Sequence, residues 1–178
     1  MIRLFAAIAI PDTIAAGLAA RQNDLPGARW RSRESLHITL KFAGEMAETV
    51  ADDFATELAT ITAPALTLNL RGAGMFGEGV NVRAVWAGVE GSPGLEHLAE
   101  SCEAAARRAL VAPRSSLWRP HVTLAYLRRA RPDRVGAWIQ SHSLLTSPPF
   151  RIDAFGLYSS WPGRAASAYR LERSYALV

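Results

Sequence analysis

Two stretches of this chain carry the same frame. Ser35 to Gly44 reads SLHITLKFAG and Arg119 to Leu127 reads RPHVTLAYL, so two of the four histidines each open an H-[IV]-T-L run. Successive side chains of a strand point to opposite faces. The first run therefore predicts a strand with His37, Thr39 and Lys41 on one face and Ile38, Leu40 and Phe42 on the other. The second splits His121 and Thr123 from Val122, Leu124 and Tyr126 in the same way. Each apolar face can pack on a helix while each polar face presents an imidazole and a hydroxyl, so the repeat constrains the chain to two related halves.

The remaining pattern is compatible with that constraint. Arg3 to Ile10 reads as a buried strand and Pro11 to about Gln22 as a helix, with a short strand over Ala28 to Arg31. The first motif strand runs from Leu36 to Ala43 and is expected to end at Gly44. Ala47 to about Thr60 is helical, with Val50, Phe54 and Leu58 on one apolar face. ALTLNLRGAGMF and VNVRAVWAGVE flank GEG as a strand pair around a Gly-rich turn. Ser92 to about Leu110 is helical again, followed by the second motif strand, His121 to Leu127, and a short helix near Asp133 to His142. FRIDAFGLYSS, a turn at WPGR and ASAYRLERSYALV close the chain as a hairpin. The 178 residues suffice to bury roughly 70% of the surface of the unfolded chain. We expect an α+β fold, one domain over residues 1–178, with two pseudo-symmetric lobes of antiparallel sheet, helices outside, and a central cleft carrying one H-x-T strand per lobe.

Composition narrows the function classes. Cys102 is the only cysteine, which excludes an internal disulfide and any multi-cysteine zinc site and fits a reducing compartment. The opening MIRLFAAIAIPDTIAAGLAA has the charge and apolar run of a secretory signal, but Pro11 and Asp12 end the run and begin a helix. No stretch approaches a membrane span. The net charge is +4, and every basic residue except Lys41 is arginine, whose planar fork suits phosphate. Such an excess also arises from composition bias, and net charge alone speaks only to non-specific attraction.

Facing each other across a cleft, the two half-sites would surround one small anion with two imidazoles and two hydroxyls. An imidazole of ordinary pKa near 6.5 is available both as base and as acid. One histidine can activate water while the other protonates a leaving oxygen, and Thr39 and Thr123 can hydrogen-bond non-bridging phosphoryl oxygens. A 2',3'-cyclic phosphate at an RNA end suits this set, because in-line attack needs base and acid on opposite sides of phosphorus. Two histidines with threonine at i+2 do not make a metal site, which needs three or four ligands.

RLFAAIAIP near the start, ESLHITLKFAGE, RPHVTLAY and the closing FGLYSSWPGRAASAYRLERSYAL together resemble the 2H phosphoesterase superfamily. The specific likeness is to its bacterial and archaeal RNA 2',3'-cyclic phosphodiesterases, also called 2'-5' RNA ligases, and it covers nearly the whole chain. It implies a bilobal fold with a central cleft, no metal and no cofactor. It further implies that His37 donates a proton to the 3'-oxygen and that His121 takes one from water, giving a 2'-phosphomonoester. The residues themselves are too symmetric to assign acid and base.

Beyond the four motif residues, Arg119 and Lys41 are candidates for phosphate contact from the histidine face, and Phe76, Tyr158 and Trp161 for stacking a base. His97 and His142 fall on helical stretches as surface residues. The expected partners are RNA ends or nucleotides bearing a 2',3'-cyclic phosphate, acted on by a cytoplasmic monomer with no membrane association. Two other readings stay open on the residues alone: 2'-5' joining of RNA ends by the reverse reaction, and an RNA-end binding module without turnover.

Overall fold

The computed structural model describes residues 1–163 and 167–178. In chain order the strands are β1 (Ile2–Ala9), β2 (Ala28–Trp30), β3 (His37–Met46), β4 (Leu66–Leu68), β5 (Leu70–Phe76), β6 (Ala84–Val89), β7 (His121–Leu127), β8 (Phe150–Ile152), β9 (Ala154–Trp161) and β10 (Ala168–Ala176). Among the described residues the α-helices are α1 (Asp12–Ala19), α2 (Glu48–Ala59), α3 (Pro93–Arg108) and α4 (Pro132–Ser141). The turn expected at WPGR runs into residue 164, outside the described residues.

The pairing is antiparallel throughout and gives the order β10-β9-β1-β3-β7-β6-β5, with β2 added beside β7. Two half-sheets, one ending in β3 and the other built on β7, meet through a single pair, Ile38 opposite Val122. β1 is paired on both sides and carries helices on one face, so Leu4 to Ile8 is a continuous buried run. α2 and α3 pack on each other and on the first half-sheet, burying Phe54, Leu58, Leu95, Leu98 and Cys102. α4 packs on β5, and its Trp138 ring lies 5.9 Å from Trp30 of β2. The mixed α+β architecture with a large antiparallel sheet is the one the repeated frame implied.

Two expected strands are each divided. ALTLNLRGAGMF breaks at Asn69 and FRIDAFGLYSS at Asp153, and the leading pieces β4 and β8 pair with each other in a separate two-stranded sheet. Leu66, Leu68, Phe150 and Ile152 alternate inward there, so the short ribbon is held by a buried apolar row. β5 and β6 pair as expected, but the connection is longer than GEG: it runs over residues 77–83, with a 3₁₀ turn at Gly79–Asn81 in place of the expected start of the second strand. Gly77 is fixed by its surroundings, since it has φ +90° and an added Cβ would lie 2.2 Å from the Asn81 carbonyl oxygen.

The simple alternation expected along the motif strands fails, and it fails identically in both. β1 pairs Ala7 with Thr39 but Ala6 with Lys41, and β6 pairs Trp86 with Thr123 but Val85 with Ala125. Leu40 and Leu124 are thus the extra residues of two equivalent β-bulges, beyond which the faces exchange. Phe42 and Tyr126 turn to the histidine side, 61% and 48% exposed, while Lys41 and Ala125 turn inward. A second irregularity at Ala43, next to Gly44 with φ +80°, lets β3 continue to Met46 instead of ending at Gly44.

Lys41 is accordingly corrected from a phosphate contact to a structural cation. Its side chain is 1% exposed, donates to the Ala112 carbonyl at 2.7 Å and pairs with Glu103 of α3 at 3.0 Å. Glu103 also accepts from the backbone and side chain of Arg114. Burial pushes the Glu103 carboxyl up, but the bonds from Lys41 and Arg114 outweigh it and hold the group below its ordinary value.

Glu103→Leu is expected to cost about 3–5 kcal/mol in urea unfolding, because it strands a buried ammonium. Lys41→Met combined with Glu103→Leu should regain a large part of that loss, since apolar replacement of a buried pair is often near neutral. A double variant no more stable than Glu103→Leu would refute this account of Lys41.

Candidate active site

The two motif histidines are the first residues of β3 and β7, and the Ile38–Val122 pair sets those strand starts side by side. Continuing this antiparallel register points His37 toward Thr123 and Thr39 toward His121, all four on the face away from α3. Ile38, Leu40, Val122 and Leu124 on the opposite face are fully buried and lock the strands in place.

Each imidazole is oriented in the same way. His37 Nδ1 lies 2.7 Å from the Ser35 carbonyl oxygen, and His121 Nδ1 lies 2.7 Å from the Arg119 carbonyl oxygen. A carbonyl only accepts, so Nδ1 must carry the hydrogen in both rings, and the lone pair of the neutral ring sits on Nε2. Aromatic rings fix the ring planes. Phe5 of β1 and Tyr169 of β10 lie 4.9 and 5.3 Å from His37, and Phe76 of β5 and Trp86 of β6 lie 4.7 and 6.0 Å from His121. Trp86 lies against Gly74, where an added Cβ would meet its ring at 2.3 Å.

This enclosure disfavours the protonated rings. Burial lowers the His37 pKa to about 4 against a rise from the Ser35 carbonyl, with smaller lowering from Arg31 and His121. Burial also lowers the pKa of His121, opposed by the Arg119 carbonyl and aided by the Arg119 cation. Burial thus favours the neutral, basic form of both rings, and a bound anion would favour the charged form of either.

Two adjoining cavities open over these residues. One, of about 350 Å³, is lined by Arg31, His37, Thr39, Phe42, Tyr126 and Tyr169 among others. The other, of about 690 Å³, includes Thr39, Phe42, Phe76, Arg83, Arg119 and His121. Thr39 and Phe42 are common to both, so the cavities meet where a group held between the histidines would sit. The 112–118 loop walls the second cavity and is tied to the motif strand by a hydrogen bond from Trp118 Nε1 to the Thr39 carbonyl.

His37, Thr39 and His121 therefore share these two cavities, whereas Thr123 lines neither and is placed beside His37 only by the strand register. Arg119 is exposed, lines the second cavity and carries its guanidinium 6.0 Å from the centre of the Trp86 ring. Phe76 lines the same cavity against His121. Tyr158 does not reach either cavity, because β9 pairs it with Phe5 and its ring stacks behind Phe5 at 5.5 Å. It is corrected from a base-stacking residue to a support for Phe5. Trp161 lies outside both cavities and donates to Ser159 Oγ. His97 is exposed on α3, and His142 stacks on Trp138 at 4.1 Å. Among the described residues no group of three or more His, Cys, Asp or Glu is placed to hold a metal ion.

Several site residues are not evident from the frames as strict alternation reads them. Phe42 and Tyr126 reach the cleft only because of the bulges, although the shared aromatic five residues after each histidine is a repeat signal in its own right. Arg31 and Tyr169 come from β2's exit and β10, and nothing local in the sequence marks them.

A family model for the 2'-5' RNA ligase superfamily matches residues 10–162. The RNA 2',3'-cyclic phosphodiesterase of Aeropyrum pernix is 37% identical over 99 residues, spanning 55% of this chain and 56% of that protein. The RNA 2',3'-cyclic phosphodiesterase of Thermotoga maritima is 30% identical over 141 residues, spanning 75% of this chain and 71% of that one. Among solved structures, E. coli LigT complexed with 3'-AMP superposes with a TM-score of 0.80 at 28% identity, covering 99% of this chain and 98% of that one.

In nitrogen NMR of the free protein, His37 is expected to show a protonated Nδ1 and to titrate near pH 4, well below 6.5. The folded pKa lies below the unfolded one, so the stability tied to the neutral ring is complete above about pH 6.5 and is lost as pH falls toward 4. His37→Phe should flatten the fall in melting temperature across that window. A His37 ring titrating at 6.5 or above would contradict the description of a desolvated imidazole.

Proposed function

This chain belongs to the 2'-5' RNA ligase superfamily, and from that premise we propose that it hydrolyses RNA 2',3'-cyclic phosphate ends to 2'-phosphomonoesters. The observation that carries the reading is the matched pair of histidines. Each fixes its Nδ1–H on a carbonyl two residues upstream and so turns a free Nε2 toward the cleft. The names of the relatives and the nucleotide bound by the E. coli structure point to the same substrate class.

In this mechanism His121 Nε2 accepts a proton from water as the water oxygen attacks phosphorus. The bond from phosphorus to the 3'-oxygen breaks, and His37, protonated at Nε2, gives its proton to that oxygen. The 2'-ester is retained, His121 leaves the step charged and His37 neutral, and exchange with solvent resets both. Thr39 and Thr123 donate hydrogen bonds to the non-bridging oxygens, which gain charge in the transition state. Arg119 draws the phosphate and the RNA backbone toward the larger cavity, where Phe76 offers a face for the base. The same groups would serve the reverse joining reaction by microscopic reversibility.

His37→Ala and His121→Ala should each lower hydrolysis of a cyclic-phosphate dinucleotide by on the order of 10² to 10⁴ with unchanged circular dichroism. On a phosphodiester with an activated aryl leaving group, which departs without a proton, His37→Ala should recover and His121→Ala should not. Recovery of His121→Ala alone would reverse the assignment.

The pH profile gives an independent check. The productive free enzyme has His121 neutral and His37 charged, and both pKa values lie below 6.5, so kcat/KM should peak on the acid side of that value. Binding an anion raises the His37 pKa, so the alkaline limb of kcat should lie at higher pH than that of kcat/KM. An optimum of kcat/KM near pH 8 would sink this division of labour.

A further inference from the structure

We infer that Arg31 is a ligand for the phosphoryl oxygens of the substrate in the cavity beside His37. This deepens the reading above and rests on it for the identity of the substrate. The argument starts from the backbone. β2 pairs Arg29 with Tyr126 and Trp30 with Ala125, and the next residue, Arg31, donates its backbone N–H to the carbonyl of the bulged Leu124 at 2.8 Å. Its own carbonyl accepts from the Gln22 side chain at 2.9 Å. Arg31 is thus fastened to the second motif strand while its side chain forms part of the cavity around the first motif histidine.

The side chain itself is in an unusual state. Arg31 is 6% exposed, yet its Nη2 is a buried atom with no hydrogen-bond partner. Other arginines of this chain, including Arg3, Arg33, Arg108, Arg114 and Arg131, reach carboxylates, whereas among the described residues none comes within ion-pair distance of Arg31. What holds the guanidinium is aromatic: it lies 5.0 Å from the centre of the Tyr169 ring and 5.7 Å from that of Tyr126. The Tyr169 hydroxyl also accepts a hydrogen bond from the guanidinium, but the ring faces position the cation without supplying an acceptor for Nη2.

A buried cation without a carboxylate is a costly arrangement unless an anion completes it. The cavity supplies the place for one, bounded by Arg31, His37 and Thr39. A phosphodiester fits by charge and shape, since the planar fork of arginine meets two non-bridging oxygens in parallel. It also answers a difficulty in the proposed mechanism. Arg31 is among the groups that keep His37 neutral, and an anion bound between them removes that repulsion where the acid is needed.

The test uses the whole protein with inorganic phosphate as the probe, followed by nitrogen NMR of arginine Nε–H groups and by calorimetry. Saturating phosphate should shift the Arg31 resonance. Arg31→Gln should weaken phosphate binding about 10- to 100-fold, the share expected of one charge-assisted contact. Arg31→Lys should recover only part of the loss, because it restores the charge without the fork, and Arg33→Gln should bind phosphate as the wild type does. If Arg31→Gln fails to fold, the wild-type resonance decides. An Arg31 signal unmoved at saturation, or full affinity in a folded Arg31→Gln protein, overturns the inference even if cyclic-phosphate hydrolysis is found. Phosphate binding that depends on Arg31 upholds the anion site even if the wild type fails to hydrolyse cyclic phosphates, an outcome that would overturn only the proposed reaction.

Discussion

The cleft depends on one antiparallel contact, Ile38 opposite Val122, through which the two half-sheets join. Because that pair points into the core, the residues on either side of it must point the other way. The register then sets each histidine toward the threonine of the other motif. A slip of one residue would send all four into the helices, so the apolar face enforces the polar one. The four Ile, Leu and Val side chains beneath the motif strands are fully buried, and that packing keeps the register from slipping.

The bulges after each threonine add what a regular strand could not. Without them Phe42 and Tyr126 would face the core, and Lys41 would carry its charge into the cleft beside the histidines. With them each cavity gains an aromatic wall, and the single lysine of the chain is spent on bracing α3 against β3 through Glu103. Cationic roles in the cleft are left to arginine, whose fork and ring stacking suit an aromatic pocket better than an ammonium does. Arg31 over Tyr169 and Arg119 over Trp86 repeat that arrangement beside each histidine.

The electrostatics follow from the same packing. Rings of Phe5, Tyr169, Phe76 and Trp86 exclude water from the imidazoles, and the resulting desolvation lowers both pKa values. A histidine held neutral in this way is a ready base but a reluctant acid. An acid role therefore requires the substrate's own negative charge, so binding and activation become linked in one residue. Specificity for anions would then arise partly from chemistry and not from contacts alone.

The amino-acid sequence determined the repeated strand, its apolar and polar faces up to the fourth residue of each frame, and hence the mixed α+β fold with both histidines on one surface. Those features are local: alternation and β-branched residues fix a strand wherever it packs. The sequence did not determine where alternation stops, because a bulge is set by the neighbour's register, and only β1 and β6 reveal Leu40 and Leu124 as extra residues. For that reason Lys41 read as a cleft residue and Phe42 as a core residue. Tyr158 read as a stacking residue because its partner Phe5 is distant in the chain. Arg31 and Tyr169 enter the site through β2 and β10, whose placement depends on long-range pairing with β7 and β9. Tertiary structure alone decided these, since the desolvation and orphaned charge that mark them exist only once distant strands have closed around the cleft.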